Sequence, residues 1–257
     1  MVKVSIIIPC RTVGEAFVCS EKCHQVDYNG LEVIVLPDNF AYLCKDNHKV
    51  IPTGKVLPSH KRDIGIKEAT GEIIAFIDAD AYPTKSWLKN AVWHLRNDKT
   101  IAGICGPGTL PPDSTMKQKA ADFVLKLLPF NYRVQPKKAR YVEDYPTFNL
   151  ILWKKDILKA GGFNCDYLTG EDTLLCKRIT KDLGKRILYA PDVEVYHERR
   201  EVFKPFFKQI GTYGRHRGYF FKKHPETSRA FIYILPLILA IGVMIVCIYY
   251  MVSLVLF

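Results

Sequence analysis

Three short runs rich in β-branched residues, 4–9, 31–36 and 72–77, recur through the first third of the chain. Each is brief and almost continuously apolar, the pattern of a strand buried on both faces of a parallel sheet. Parallel neighbours need a crossover between them, and the intervening residues have the helical period that supplies one. Residues 61–69 run into a Thr70-Gly71 stop, and residues 84–97 carry Trp87, Leu88, Ala91 and Leu95 on a helical repeat. The alternation predicts an α/β fold, a sheet flanked by helices.

A fourth strand is expected over 101–105, closed by Gly106-Pro107-Gly108, followed by a helix over 114–128 with Ala120, Phe123, Val124 and Leu127 at helical spacing. A polar, basic loop over 131–145 leads to an apolar stretch at 148–153, a helix over 171–183, and strands over 186–189 and 193–197. At 257 residues the chain is long enough for a core that needs no disulfide staples. We divide it into a catalytic domain over 1–200, with a nucleotide-binding half at 1–110 and an acceptor-binding half at 111–200.

Residues 230–257 form a stretch of 28 positions without one charged side chain. As a helix at ~1.5 Å per residue this would reach about 42 Å, more than the ~30 Å hydrocarbon core of a bilayer. A buried core helix seldom runs so far without a polar face, so a single C-terminal transmembrane helix is expected. Lys222, Lys223 and Arg229 precede the stretch and nothing charged follows, which by the positive-inside rule keeps the catalytic domain on the cytoplasmic side. The opening residues 1–11 lack a basic n-region and a cleavage site, so no signal peptide is read there. Residues 201–229 alternate Phe203, Phe206, Phe207 and Ile210 with Lys204, Lys208, Arg215, Arg217, Lys222 and Lys223. An amphipathic juxtamembrane helix lying on the bilayer fits this pattern; the alternative is a helix that packs the same aromatics on the globular domain.

The formal net charge of +11 falls entirely before residue 230 and favours anionic partners: phosphorylated cofactors, lipid head groups or nucleic acid. Nucleic acid is set aside, because no zinc spacing, RNA-binding aromatic motif or basic helix-turn-helix is present. The eight cysteines include no C-x-x-C pair, and reduced thiols are expected. Cys19, Cys23 and His24 would need a distant fourth ligand to hold zinc.

The third apolar run leads into Asp78-Ala79-Asp80. The carboxyl end of a strand is where open α/β sheets bind ligands, and two carboxylates at i and i+2 face one side. Asp78 and Asp80 can therefore reach one divalent cation bridging two phosphates, although a D-x-D taken alone also suits a solvated turn.

The larger pattern resembles the family 2 glycosyltransferases of GT-A fold. Matching segments are Val4-Ser5-Ile6-Ile7-Ile8-Pro9; Lys61-Arg62-Asp63-Ile64-Gly65 with Ala69-Thr70-Gly71-Glu72; Asp78-Ala79-Asp80; Gly161-Gly162-Phe163 with Gly170-Glu171-Asp172; and His197. The resemblance implies a Rossmann-like mixed sheet that binds a nucleotide-diphosphate sugar, UDP- or GDP-linked, with Mn²⁺ or Mg²⁺. It implies that Pro9, Arg11 and Asp38 line the base and ribose with Asp78 nearby, that Lys61, Arg62 and Ala79 belong to the donor site, and that Asp80 holds the metal with Asp78 and His197. Asp172, with Glu171 beside it, matches the catalytic base. Two positions depart from the family pattern: Asp63 stands where Asn is common, and Leu36-Pro37-Asp38-Asn39 replaces two adjacent acids followed by Gly and Ser.

Each of these residues has a bland reading as well. Glu171 and Asp172 suit a helix N-terminus, and a strand-end histidine often only satisfies a backbone carbonyl. Gln209 with Gly214-Arg215-His216-Arg217-Gly218 is similar to a C-terminal motif of members acting beside a membrane, but is not the Q-x-x-R-W of processive synthases. The expected activity is transfer of a sugar with inversion to a lipid-linked glycan or polyprenyl phosphate. A catalytically inactive nucleotide- or lipid-binding relative is the competing expectation.

Overall fold

The computed structural model describes residues 2–39, 48–127, 138–201, 203–227 and 235–256. Strands β1 (Val4–Pro9), β2 (Leu31–Leu36), β3 (His48–Val50) and β4 (Ile73–Phe76) pair in parallel in the order β3-β2-β1-β4. Their crossovers are helices α1 (Val13–Cys23) and α2 (Pro58–Glu68). The apolar runs in β1, β2 and β4 are almost wholly buried, as strands covered on both faces must be.

Beyond β4 the sheet is mixed. After α3 (Trp87–Asn97), strand β6 (Ile101–Cys105) does not join β4 directly, because β9 (Leu150–Trp153) runs between them, antiparallel to both. Strand β10 (Arg186–Tyr189) follows parallel to β6, and β8 (Arg140–Val142) closes the edge antiparallel to β10. Strands from before and after residue 110 thus interleave in one eight-stranded sheet. Gly103 makes the insertion possible: a Cβ there would lie 2.1 Å from Leu152 of β9. A second sheet joins β5 (Ala81–Pro83), β11 (Val195–His197) and β7 (Gly108–Thr109) in the order β5-β11-β7.

Of the basic loop expected over 131–145, residues 131–137 lie outside the described residues and Arg140–Val142 forms β8. The helix expected over 171–183 begins as α6 (Glu171–Lys177) and continues as a π-helical stretch, Arg178–Asp182. Helix α5 (Lys154–Lys159) follows β9.

Helix α4 (Met116–Leu127) corrects the usual reading of a helical apolar repeat. Ala121 and Leu125 face inward, while Ala120, Phe123 and Val124 are exposed. The inner face is held by the buried Asp122, which accepts from Arg199 Nε at 3.0 Å, and that pair fixes the rotation of the helix.

Helix α7 (Lys204–Lys223) lies against the domain through two aromatics. Phe206 packs with Ala121 and Leu125, and Phe220 packs over Gly170. Phe203, Phe207 and Phe221 are exposed. The packing reading of this segment therefore holds for the face that carries Phe206 and Phe220, and the other aromatics are left outside it. Helix α8 (Leu235–Leu256) has exposed apolar side chains from Leu237 to Tyr249 wherever these are described. Among the described residues no helix is long and apolar enough to cross a membrane, and the transmembrane helix expected over 230–257 is not found there.

Candidate active site

Strand β4 delivers its carboxylates to the sheet edge. After Phe76 the chain stays hydrogen-bonded to β1 through Ile77 N to Ile7 O, 3.3 Å, and turns at Asp78, whose carbonyl accepts from Ala81 N at 3.0 Å. Strand β5 then pairs antiparallel with β11, placing His197 opposite Ala81 and beside Asp80. One ligand atom from each of Asp78, Asp80 and His197 lies within 4.8 Å of the other two. Two carboxylates and one imidazole suit Mn²⁺ or Mg²⁺ better than a soft metal.

The three groups are not equally prepared. Burial pushes the Asp80 carboxyl up, but its hydrogen bond from His197 and the nearby Arg200 charge outweigh this and hold it below the usual aspartate range. His197 is buried, stacks on Phe148 with centroids 4.7 Å apart, and has Arg199 Nη1 2.8 Å from its Nδ1. A guanidinium only donates, so Nδ1 accepts and the ring proton sits on Nε2, 3.3 Å from Asp80 Oδ1. Ligation through Nε2 requires Arg199 to give up Nδ1, whereas the carboxylates need no such change.

Helix α2 carries two buried cations. Lys61 Nζ donates to Cys10 O at 2.6 Å, Leu36 O at 3.2 Å and Asp38 Oδ1 at 2.5 Å, tying together the ends of β1 and β2. Lys61 thus holds Asp38 in place instead of reaching into open space. Arg62 donates through Nη2 to Asp78 Oδ1 at 3.1 Å and through Nη1 to Glu171 Oε1 at 2.8 Å, with its guanidinium 5.6 Å from the Phe163 ring centroid. Asp78 and the start of α6 therefore share one positive charge.

Asp63, where the family pattern has Asn, serves the backbone. Its Oδ1 accepts from Phe163 N at 2.8 Å and its Oδ2 from Asn164 N at 2.9 Å. This clamps a turn with positive φ at Gly161 (81°), Gly162 (69°) and Asn164 (36°).

The turn leads to Gly170, at φ 89°, and then to α6. Glu171 is buried and paired to Arg62, which leaves it a positioning group. Asp172 differs: burial first, then the charges of Glu171 and Asp144, push its carboxyl up to about 7, although Thr173 N donates to Oδ1 at 2.8 Å. A carboxyl so poised can exchange a proton near neutral pH. Thr173 Oγ1 donates to Asp144 Oδ2 at 3.2 Å and holds that second acid nearby.

One cavity of about 1940 Å³ joins these groups. Pro9, Arg11, Asp38, Lys61, Arg62, Asp78, Ala79 and Asp80 line it from the sheet edge, and Glu171 and Asp172 from α6. Arg11 stands at the exposed rim, paired with Glu15 at 2.6 Å, and His197 lies behind Asp80. Tyr213, His216, Arg217 and Phe220 of α7 line it too. Asp144 and Tyr213 went unread as site residues, since only the fold brings them to the cavity, which Arg200 lines as well. Six described cysteines are unbridged thiols; Cys19 and Cys23 are both buried in α1, and the Asp78, Asp80, His197 group is the one metal-type cluster among the described residues.

Known proteins resemble this chain in sequence and in fold. A protein named Pre-mycofactocin glycosyltransferase from Mycobacterium tuberculosis (strain ATCC 25618 / H37Rv) is 24% identical over 172 residues, 66% of this chain and 36% of that protein. A probable glycosyltransferase, YdaM of Bacillus subtilis (strain 168), is 25% identical over 158 residues, 60% of this chain and 37% of the other. The chain thus spans little more than a third of these relatives. Among solved structures, GalNAc-T7 with UDP, GalNAc and Mn²⁺ superposes with a TM-score of 0.60 at 13% identity, covering 79% of this chain and 45% of its own. The mannosyltransferase PcManGT from Pyrobaculum calidifontis, with GDP-Man and Mn²⁺, gives 0.55 at 20% identity, covering 79% and 58%. Both show a shared fold. The sequence profile of Glycosyl transferase family 2 matches residues 5–183, the segment that holds β1, the Asp78-Ala79-Asp80 edge and the α6 acids, and the chain belongs to that family.

Proposed function

We propose that this chain is an inverting glycosyltransferase that moves a sugar from a UDP- or GDP-sugar to a membrane-associated acceptor. One observation carries the reading: Asp78, Asp80 and Asp172, separated in the sequence, line the same cavity. Family membership supports the class of reaction, and the nucleotide sugars and Mn²⁺ of GalNAc-T7 and PcManGT support the donor.

The residues assign the work as follows. The base and ribose lie along Pro9, Arg11 and Asp38, the last held by Lys61. Asp78, Asp80 and, once Arg199 yields, His197 would hold a divalent cation, which would supply positive charge against a departing diphosphate. Asp172 accepts the proton of an acceptor hydroxyl as its oxygen attacks the anomeric carbon, while the bond from that carbon to the diphosphate oxygen breaks on the opposite face. Arg62 pairs with both Asp78 and Glu171 and so holds α6 in register with the sheet edge. The exposed apolar side chains of α8 and the basic residues of α7 support a membrane-held acceptor such as a lipid-linked glycan or polyprenyl phosphate, with the catalytic domain on the cytoplasmic side.

The test is a panel of nucleotide-sugars offered to the detergent-solubilised protein with Mn²⁺, reading donor hydrolysis and transfer to lipid acceptors. Turnover that disappears on chelation and in Asp80→Ala is expected. Binding without turnover across the panel overturns the enzymatic reading in favour of an inactive relative. Asp172→Asn sorts the acceptors: transfer to a hydroxyl drops by about 10²-fold or more, whereas transfer to an already ionised phosphate persists.

A further inference from the structure

We infer that the outward face of α4 is a membrane-contacting surface that seats the catalytic domain on an anionic bilayer. The inference rests on the membrane reading proposed above and extends it from α8 to the catalytic domain itself.

An apolar stripe on a helix normally faces the protein, and on α4 it does not. Met116, Phe123 and Val124 are 78%, 64% and 40% exposed, and Ala120 between them is exposed as well. At 3.6 residues per turn these four share one side of the helix, opposite the buried Ala121 and Leu125. Rotating the helix to bury the stripe is blocked, since Asp122 is locked to Arg199 at 3.0 Å and Ala121 and Leu125 pack on Phe206. The stripe is therefore held outward by the fold.

The residues beside it select the partner. Lys117 flanks the stripe on one side, Lys119 and Lys126 on the other. The helix's one acid, Asp122, is buried beneath it. Lys117 reaches Glu201 at 3.5 Å in a pair of exposed side chains that holds weakly against a competing anion, whereas Lys126 is tied at 2.7 Å to the buried Asp122, so Lys117 and Lys119 carry the contact with head groups. Apolar side chains between lysines match a lipid surface, whose head groups take the cations while the acyl boundary takes the aromatic. A second copy of the chain fits worse, because a stripe packed on its own twin about a two-fold axis sets lysine against lysine.

The experiment uses the full chain in vesicles of phosphatidylcholine and phosphatidylglycerol, with part of the phosphatidylcholine brominated at a shallow or a deep acyl position. Phe123→Trp and Tyr249→Trp each add an indole to the background of Trp87, Trp93 and Trp153. Both replaced side chains are exposed, so neither change disturbs the core. The new indole at 123 is expected to be quenched mainly by the shallow bromines, about 5–10 Å below the surface, and less so when Lys117→Glu and Lys119→Glu are added. If position 249 is quenched and position 123 is not, the α4 surface is refuted while the membrane reading stands. If neither is quenched, both fall. Quenching at 123 alone keeps the α4 surface and removes the α8 contact. Shielding of position 123 by cross-linkable dimers, with no effect of bromine, identifies a second copy as the occupant and overturns the inference.

Discussion

Two neighbouring acids at the start of α6 have been given opposite tasks by their surroundings. Glu171 lies 2.8 Å from Arg62 and is committed to that pair, while Asp172 gains burial and a like-charged neighbour and is pushed up to about 7. As the base, Asp172 must be ionised, so transfer to a hydroxyl acceptor should fall about tenfold per pH unit below the apparent value, and a bound cation moves this limb to lower pH. A pH profile of kcat/KM in which Asp172→Asn leaves both the plateau and the acidic limb unchanged would rule out Asp172 as the base. Stability runs the other way. A carboxyl raised in the folded state from 3.8 to about 7 penalises folding once ionised; the penalty is absent below the first value and complete above the second. Asp172→Asn should therefore raise Tm by a few degrees at pH 8 and leave it unchanged near pH 4, as thermal melts would show.

The turn between β9 and α6 depends on a side chain from another helix. Asp63 of α2 is the acceptor for two backbone N–H groups of the positive-φ turn at Gly161, Gly162 and Asn164. Asp63→Ala leaves both donors without that acceptor and should cost about 1–3 kcal/mol in chemical denaturation. Asp63→Asn keeps one acceptor oxygen and should recover part of the loss. Among the elements, β1, β2, β4 and β6 follow their apolar runs, because a strand buried on both faces shows itself in composition alone. Helix α1 was not legible: its buried face is Val13, Ala16, Cys19, Ser20 and Cys23, too small and polar to set a period. Strand β5, with three residues and a proline, falls below any strand signal, yet it is the segment that aligns His197 with Asp80. The spacing on α4 gave its helix correctly but not its orientation, which the Asp122–Arg199 pair sets.

The ends of β1, β2 and β4 and the start of α6 line one cavity, so a donor bound as proposed should stabilise the fold as a whole. Mn²⁺ with UDP or GDP at about 100 times Kd adds roughly 2.7 kcal/mol, several degrees of Tm. Differential scanning fluorimetry should show this shift in the parent chain and lose it in Asp80→Ala; an equal shift in both would detach the cation from that carboxylate. The net charge of +11 agrees with a cavity and a surface that take phosphates, but does not distinguish donor from lipid.

Residue order and type were enough for the family and the α/β class, since each rests on short segments whose character is written locally. The cavity itself was not written locally. Arg62 meets Glu171 across 109 positions, Lys61 meets Cys10 across 51, and α7 becomes a wall of the site through Phe206 and Phe220. Which acid is neutralised and which is poised to take a proton follows from burial and from charges that only folding brings within a few ångströms, and no local period encodes such a distance.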